Sequence, residues 1–213
     1  MRVKICGITD GTQGRAIAEL GATALGAICV PSSPRYVPPQ RLAHLVEQFP
    51  SRVDRIGVFA DSAIAEIRPL VADGLLTGIQ LHGRESPAFC HRLRQAFPGL
   101  EIIKALKVKT PDSLAEEVAT YREKVDTLLI DAYHPQQLGG TGKTLDWAAI
   151  AEIEFPLPWF LAGGLSPDNI RDALARVRPD GIDLSSGVER SPGNKDLEKV
   201  VLLFERLQQV DRL

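Results

Sequence analysis

WFLAGGLSPDNIRDALARV, residues 159–177, contains the plan of the chain in one stretch. WFLAG (159–163) is a short apolar run that reads as a strand. Gly163 and Gly164 break it. Ser166-Pro167 then puts a capping residue ahead of a proline, the arrangement expected at a helix start. IRDALARV (170–177) follows with apolar residues at helical spacing. The stretch is therefore a strand, a glycine loop and a helix in sequence.

The same unit recurs along the chain. Strands are expected at RVKIC (2–6), LGAICV (25–30), RIGVFA (55–60), TGIQLH (77–82), EIIKAL (101–106), DTLLID (126–131) and GIDLSS (181–186). Amphipathic stretches separate them, among them RLAHLVEQF, IAEIRPLVA, FCHRLRQAF and LEKVVLLFERL. Ser86-Pro87 offers a second capped start, and Gly74 stands where a helix would end. Eight such units in 213 residues give a period of roughly 27, near the lower limit for a (β/α)₈ barrel. A doubly wound open sheet alternates in the same way. Eight units without a second domain's worth of residues favour closure. No linker, low-complexity tract or repeat interrupts the pattern, so the expectation is one α/β domain over 1–213, a (β/α)₈ TIM barrel.

Composition narrows the function. Apolar residues make up 44% and charged residues 24%, ordinary for a chain that buries a core. The net charge of −2, with signs mixed, lacks the basic footprint of a nucleic-acid binder. No apolar run matches a membrane span, and the N-terminus has no signal-peptide pattern. Cys6, Cys29 and Cys90 are odd in number and widely spaced, which reads as reduced thiols in a cytoplasmic protein. No metal-ligand spacing such as CxxC occurs, so no metal site is expected.

In a barrel, function sits at the C-terminal ends of the strands. Cys6 ends the first strand, Arg35 follows the second in SSPRYV, and Asp61 follows the third. Gln80 and His82 close the fourth, Asp131 the sixth, and Asp183, Ser185 and Ser186 the eighth. Because side chains alternate along a strand, Lys4 and Cys6 share a face, as do Gln80 with His82 and Leu129 with Asp131. If the apolar faces meet the helices, then Cys6, His82 and Asp131 converge on the barrel mouth.

Each of these features has a plain reading and a functional one. Gly163-Gly164 and Ser185-Ser186-Gly187 are turn residues, yet they fall in the two loops where barrels hold phosphate on backbone N–H groups. Their joint occurrence points to a phosphorylated small molecule. QLGGTGKT (137–144) resembles a nucleotide P-loop, but Gln137 stands where the first glycine is needed, so a glycine-rich loop is expected instead. Cys6 is either a buried small hydrophobe or a base whose thiolate needs a cationic setting. Asp131, an acid ending the apolar run LLID, requires a partner or a task. Arg35 is a solvated loop residue or a reader of carboxylate or phosphate. His82 is a core histidine, a substrate contact or an acid–base group.

Taken together, KICGIT, SPRYV, GIQLHG, LLIDA with GGTGKTLDW, LAGGLSPDNI, GIDLSSGVE and PGNKD resemble the phosphoribosylanthranilate isomerase family of tryptophan biosynthesis. The resemblance runs from Lys4 to about Asp196. It implies a (β/α)₈ barrel and an Amadori rearrangement of N-(5-phosphoribosyl)anthranilate to 1-(2-carboxyphenylamino)-1-deoxyribulose 5-phosphate. By resemblance, Cys6 is the general base and Asp131 the general acid. Arg35 faces the anthranilate carboxylate and Asp183 lines the sugar site; Gln80 and His82, closing the fourth strand at the same mouth, are expected among the substrate-binding residues. Gly163, Gly164, Ser185, Ser186 and Gly187 hold the phosphate. No metal or organic cofactor is implied, and the particle is expected to be a monomer or homodimer. Where many relatives carry phenylalanines and a lysine before SPR, this chain has Ala27, Cys29 and Ser32. Two rivals remain at this stage. A histidine-pathway sugar-phosphate isomerase would carry an aspartate in place of Cys6. A barrel that only binds a phosphorylated ligand would not need both Cys6 and Asp131.

Overall fold

The structure, a computed structural model, describes residues 1–108, 110–131 and 147–210. The elements in chain order are β1 (Arg2–Cys6), α1 (Gly11–Leu20), β2 (Ala24–Ile28), α2 (Pro39–Val46), β3 (Asp54–Phe59), α3 (Ile64–Val71) and β4 (Gly78–Leu81). They continue with α4 (Pro87–Ala96), β5 (Glu101–Lys107), α5 (Pro111–Tyr121), β6 (Thr127–Asp131), α6 (Trp147–Ala151), β7 (Trp159–Ala162) and α7 (Ile170–Arg176). The last are β8 (Gly181–Leu184), a small hairpin of β9 (Glu189–Ser191) and β10 (Asn194–Lys195), and α8 (Leu197–Val210).

Strands β1 to β8 form a closed barrel in sequence order, with β8 returning to pair with β1. Every neighbouring pair is parallel, as a connection through a helix requires. The expected barrel is therefore the fold found. Its strands read as apolar runs because both faces are covered, one by the helices and one by the barrel interior.

The core has two parts. An outer layer between barrel and helices includes Ile5, Leu25, Leu81, Ile102, Ile130, Leu161 and Ile182 from the strands. A smaller cluster fills the interior with Ala24, Ile56, Ile103, Ala105, Leu129, Phe160 and Ala162. The N-terminal end of the barrel is closed by charge. Arg2 donates to Glu101 at 2.7 Å and to Asp54 at 2.8 Å, and its guanidinium lies over the Phe160 ring. Polar interior groups are thus placed at the two ends of the barrel, with an apolar plug between.

Helix starts follow local chemistry. Ser86 caps α4 by accepting from the Phe89 N–H, with Pro87 at the first helical position, as the sequence indicates. Asp10 caps α1 at the Gln13 N–H, so this helix opens four residues before the expected RAIAEL. Ser166-Pro167 behaves differently: α7 starts only at Ile170. The Asn169 side chain bonds back to the Ser166 N–H at 2.8 Å and the Gly164 carbonyl at 2.9 Å, so residues 166–169 form a turn that belongs to the glycine loop. Among the described residues, no helix is long and apolar enough to cross a membrane.

Candidate active site

The site is built where the strands stop. Strand β7 ends at Ala162 because Gly163 and Gly164 take φ of +91° and +69°, which side-chain-bearing residues rarely adopt. Strand β8 ends at Leu184 because Ser185 leaves the extended region with ψ −86°. The expected strands run one or two residues further. The earlier stops turn Gly163, Gly164, Ser185 and Ser186 into loop residues that rim the barrel mouth.

A cavity of about 430 Å³ opens there. Cys6, Gln80, His82, Asp131, Gly163, Gly164, Asp183, Ser185 and Ser186 all line it. Arg35 and Gly187 do not. A Cβ on Gly187 would collide with the Leu165 carbonyl, so this glycine lets the turn after β8 pack against the loop after β7. Gly164, in contrast, has open space where its Cβ would be. Among the described residues, the buried Ser185 hydroxyl has no hydrogen-bond partner. An unsatisfied buried hydroxyl between two glycine-rich loops suits an anion that brings several acceptor oxygens. The opposite wall is apolar, with Ile28, Val30, Val58 and Ala60 facing the cavity. QLGGTGKT (137–144) lies outside the described residues.

Cys6 is almost wholly buried, in a strongly charged setting. Lys4, on the same inward face, is fully buried and donates to both Asp183 oxygens at 3.0 and 3.1 Å. Gly26 of β2 makes room for this group: a Cβ there would stand 2.8 Å from Cys6 Sγ and 3.1 Å from Lys4 Nζ. Burial pushes the Cys6 thiol up, the Lys4 ammonium pulls it down, and the Asp183 carboxylate adds to the rise. Burial likewise raises Asp183, against the pull of Lys4.

A second cationic group lies behind the thiol. Lys195, on β10, reaches the Cys6 carbonyl, the Ser185 carbonyl at 3.2 Å and Glu189 at 2.8 Å. Glu189 also takes a paired contact from Arg35, whose Nε and Nη2 donate at 2.9 and 2.6 Å. Burial works against the Glu189 charge, but the hydrogen bonds from Arg35 and Lys195 outweigh it and bring its pKa to about 2. Arg35 packs over Gly7, where a Cβ would stand 2.5 Å from its Cδ. Gly7 therefore gives space to the Arg35 side chain next to Cys6.

Across the mouth, His82 Nε2 lies 3.4 Å from Asp131 Oδ2, and Gln80 Nε2 lies 3.2 Å from His82 Nδ1. The loop carrying His82 is fixed from below. Lys104 donates to the Gly83 carbonyl at 2.8 Å and to Glu85 at 3.0 Å, and Glu85 accepts from the Asp61 N–H at 2.9 Å. Sequence reasoning missed Glu189, Lys195, Lys104 and Glu85 as parts of this frame. Glu189 and Lys195 lie in GIDLSSGVE and PGNKD, but nothing in those motifs assigns them a role, and the only signal at Lys104 is a charge inside the apolar strand run EIIKAL.

Comparison with known proteins agrees with this geometry. The family model described as N-(5'phosphoribosyl)anthranilate (PRA) isomerase matches residues 3–206. An N-(5'-phosphoribosyl)anthranilate isomerase of Microcystis aeruginosa is 61% identical over 209 residues, covering 98% of each chain. The crystal structure of the phosphoribosyl anthranilate isomerase of Thermotoga maritima superposes with a TM-score of 0.87 at 34% identity, covering all of both chains. A phosphoribosyl anthranilate isomerase solved in complex with reduced 1-(o-carboxyphenylamino)-1-deoxyribulose 5-phosphate superposes at 0.83 with 31% identity, again over the whole of both chains.

Proposed function

The chain belongs to the N-(5'-phosphoribosyl)anthranilate isomerase family, and on that premise we propose that Cys6 is the general base and Asp131 the general acid of its reaction. The activity is the isomerisation of N-(5'-phosphoribosyl)anthranilate in tryptophan biosynthesis. The observation that carries the residue assignment is the cavity itself, which brings a thiol, a carboxyl group and two glycine-rich loops to one mouth.

Asp131 gives its proton to the furanose ring oxygen, and the C1–O bond breaks as the anilino nitrogen forms a Schiff base at C1. The cationic Schiff base acidifies the hydrogen on C2. The Cys6 thiolate removes it, and the electron pair moves to give a neutral enolamine. This tautomerises to the ketone, 1-(2-carboxyphenylamino)-1-deoxyribulose 5-phosphate. The sequence needs one acid, one base and no further group. His82, with Gln80 behind it, orients the Asp131 carboxyl through the contacts described above.

The phosphate is held by Gly163, Gly164, Ser185 and Ser186, with Gly187 keeping the two loops in contact. Its remote binding positions C2 against the sulfur. The anthranilate ring lies against the Ile28, Val30 and Val58 wall. Arg35 serves the anthranilate carboxylate. Because Glu189 already holds its Nε and Nη2, that carboxylate binds beside Glu189 or in exchange for it. Asp183 borders the sugar through its place in the cavity wall. The whole chain, 1–213, acts as one catalytic domain, and its three free cysteines fit a reducing, cytoplasmic compartment.

The test is the decay of phosphoribosylanthranilate fluorescence with purified protein. Wild type should consume the substrate, and Asp131→Asn should lower kcat by about 10²-fold or more with KM little changed. An Asp131→Asn enzyme of near-normal kcat would remove Asp131 from the acid role.

A further inference from the structure

A buried thiol is a poor base unless something favours its ionised form, and the structure contains a specific device for this. Lys4 Nζ and Cys6 Sγ both crowd the space left by the missing Cβ of Gly26, within 3.1 and 2.8 Å of the same point. The ammonium therefore lies within the sulfur's electrostatic reach, and both groups are buried from solvent. Asp183 binds that same ammonium with both oxygens from the adjoining strand. Thiol and carboxylate thus compete for one cation. We propose that Lys4 is a positioning residue that sets the ionisation of Cys6, and that Asp183 limits this by holding the same ammonium.

The surroundings are consistent with that reading. The charged and titratable groups that act on Cys6 come from every side: Lys4 on its own strand, Asp183 on β8 and Lys195 on β10, with Arg35 and Cys29 coupled to it from the segment after β2. His82 of the β4 end acts in turn on Asp183. Three cations, Lys4, Lys195 and Arg35, share two carboxylates, Asp183 and Glu189. Burial and the Asp183 carboxylate hold the Cys6 thiol above its ordinary value, with Lys4 and Lys195 opposing them, so how the Lys4 ammonium is divided bears directly on how readily the thiol ionises. Burial works against the charge of Lys4, but Asp183 and Cys6 together more than offset this, so the ammonium stays protonated. An ammonium in low dielectric acts more strongly than in water, which makes its division between two anions decisive.

The inference rests on Cys6 as the base, but its test does not use turnover. The readout is the pH dependence of Cys6 alkylation by iodoacetamide in the substrate-free protein, followed on the Cys6 peptide by mass spectrometry. Asp183→Asn keeps the side-chain shape and removes the competing charge. The expected result is a downward shift of the alkylation profile, with a rate at pH 7 about tenfold above wild type. A merely structural role for Asp183 gives no such gain. Lys4→Met alone would strand a buried carboxylate, so the second variant is Lys4→Met/Asp183→Asn, which removes both charges together. It should be alkylated at least tenfold more slowly than Asp183→Asn and more slowly than wild type. An Asp183→Asn profile that coincides with wild type in folded protein would overturn the proposal. So would a double variant as reactive as wild type. Failure of the base assignment is read separately, from the turnover of Cys6→Ala.

Discussion

Gly26→Ala is the perturbation that most directly probes the packing around the thiol. In β2 the glycine has no positive φ, so alanine adds no backbone strain. It adds one methyl group, whose carbon would stand 2.8 Å from Cys6 Sγ, 3.1 Å from Lys4 Nζ and 3.2 Å from Cys6 Cα. Ordinary non-bonded separations are about 3.5–4.0 Å, so the sulfur must move by about 0.7–1.2 Å. The backbone atom at Cα cannot turn aside as a side chain can, and β1 is held by β2 and β8 on its two edges. Overpacking of this kind destabilises by about 1–3 kcal/mol. A displacement of about 1 Å at a reacting group lowers rate by about 10²-fold. The phosphate loops after β7 and β8 are untouched, so the loss should fall on kcat, with KM within about threefold. Fluorescence-decay kinetics and a thermal melt measure the two effects. A Gly26→Ala enzyme with wild-type kcat and Tm would show that the cavity has slack around the sulfur, and the reasoning would fail.

Two further outcomes follow from the Arg35–Glu189–Lys195 group. The folded pKa of Glu189, about 2, lies below the ordinary value of about 4.3. A lowered carboxylate value stabilises the fold above the ordinary pKa, and that contribution is lost as pH falls towards the folded one. Wild type should therefore lose its advantage over Glu189→Gln between about pH 4.5 and pH 2, by about 1–3 kcal/mol after allowance for solvent near Arg35, in urea denaturation at stepped pH. Parallel stability curves for the two proteins would contradict this. Arg35→Ala should raise KM about tenfold with a smaller change in kcat, as loss of one carboxylate contact does, and unchanged steady-state constants would place Arg35 outside the substrate site.

The barrel was legible because its strands are buried on both faces. Runs such as LLID and WFLA have no polar alternation to confuse them with an exposed sheet, and helical spacing between them supplies the crossovers. The convergence of Cys6, His82 and Asp131 followed from side-chain alternation together with the barrel expectation, and all three line the cavity. The hairpin Glu189–Lys195 was not legible. Its strands are three and two residues long and mostly polar, so no periodicity could show in them. Its importance comes from Lys195 bonding to a carbonyl 189 positions away, a relation that no local pattern carries. Lys4 could be placed on the same face as Cys6, but its partner Asp183 lies 179 positions on. The start of α1 was hidden for a different reason. Gly11 and Gly14 lower helix propensity, yet they are needed there: a Cβ on either would run into Gln48 or Phe49.

The most direct test of the account is the turnover of Cys6→Ala, measured by decay of phosphoribosylanthranilate fluorescence beside a thermal melt of the same protein. The truncation removes one buried sulfur and leaves Lys4 paired with Asp183, so the barrel should remain folded. The account predicts a fall in kcat of at least about 10²-fold with KM held within a few-fold, because the phosphate loops keep their contacts while the base is gone. A folded Cys6→Ala protein that turns over substrate at near wild-type rate would show that another group removes the C2 proton.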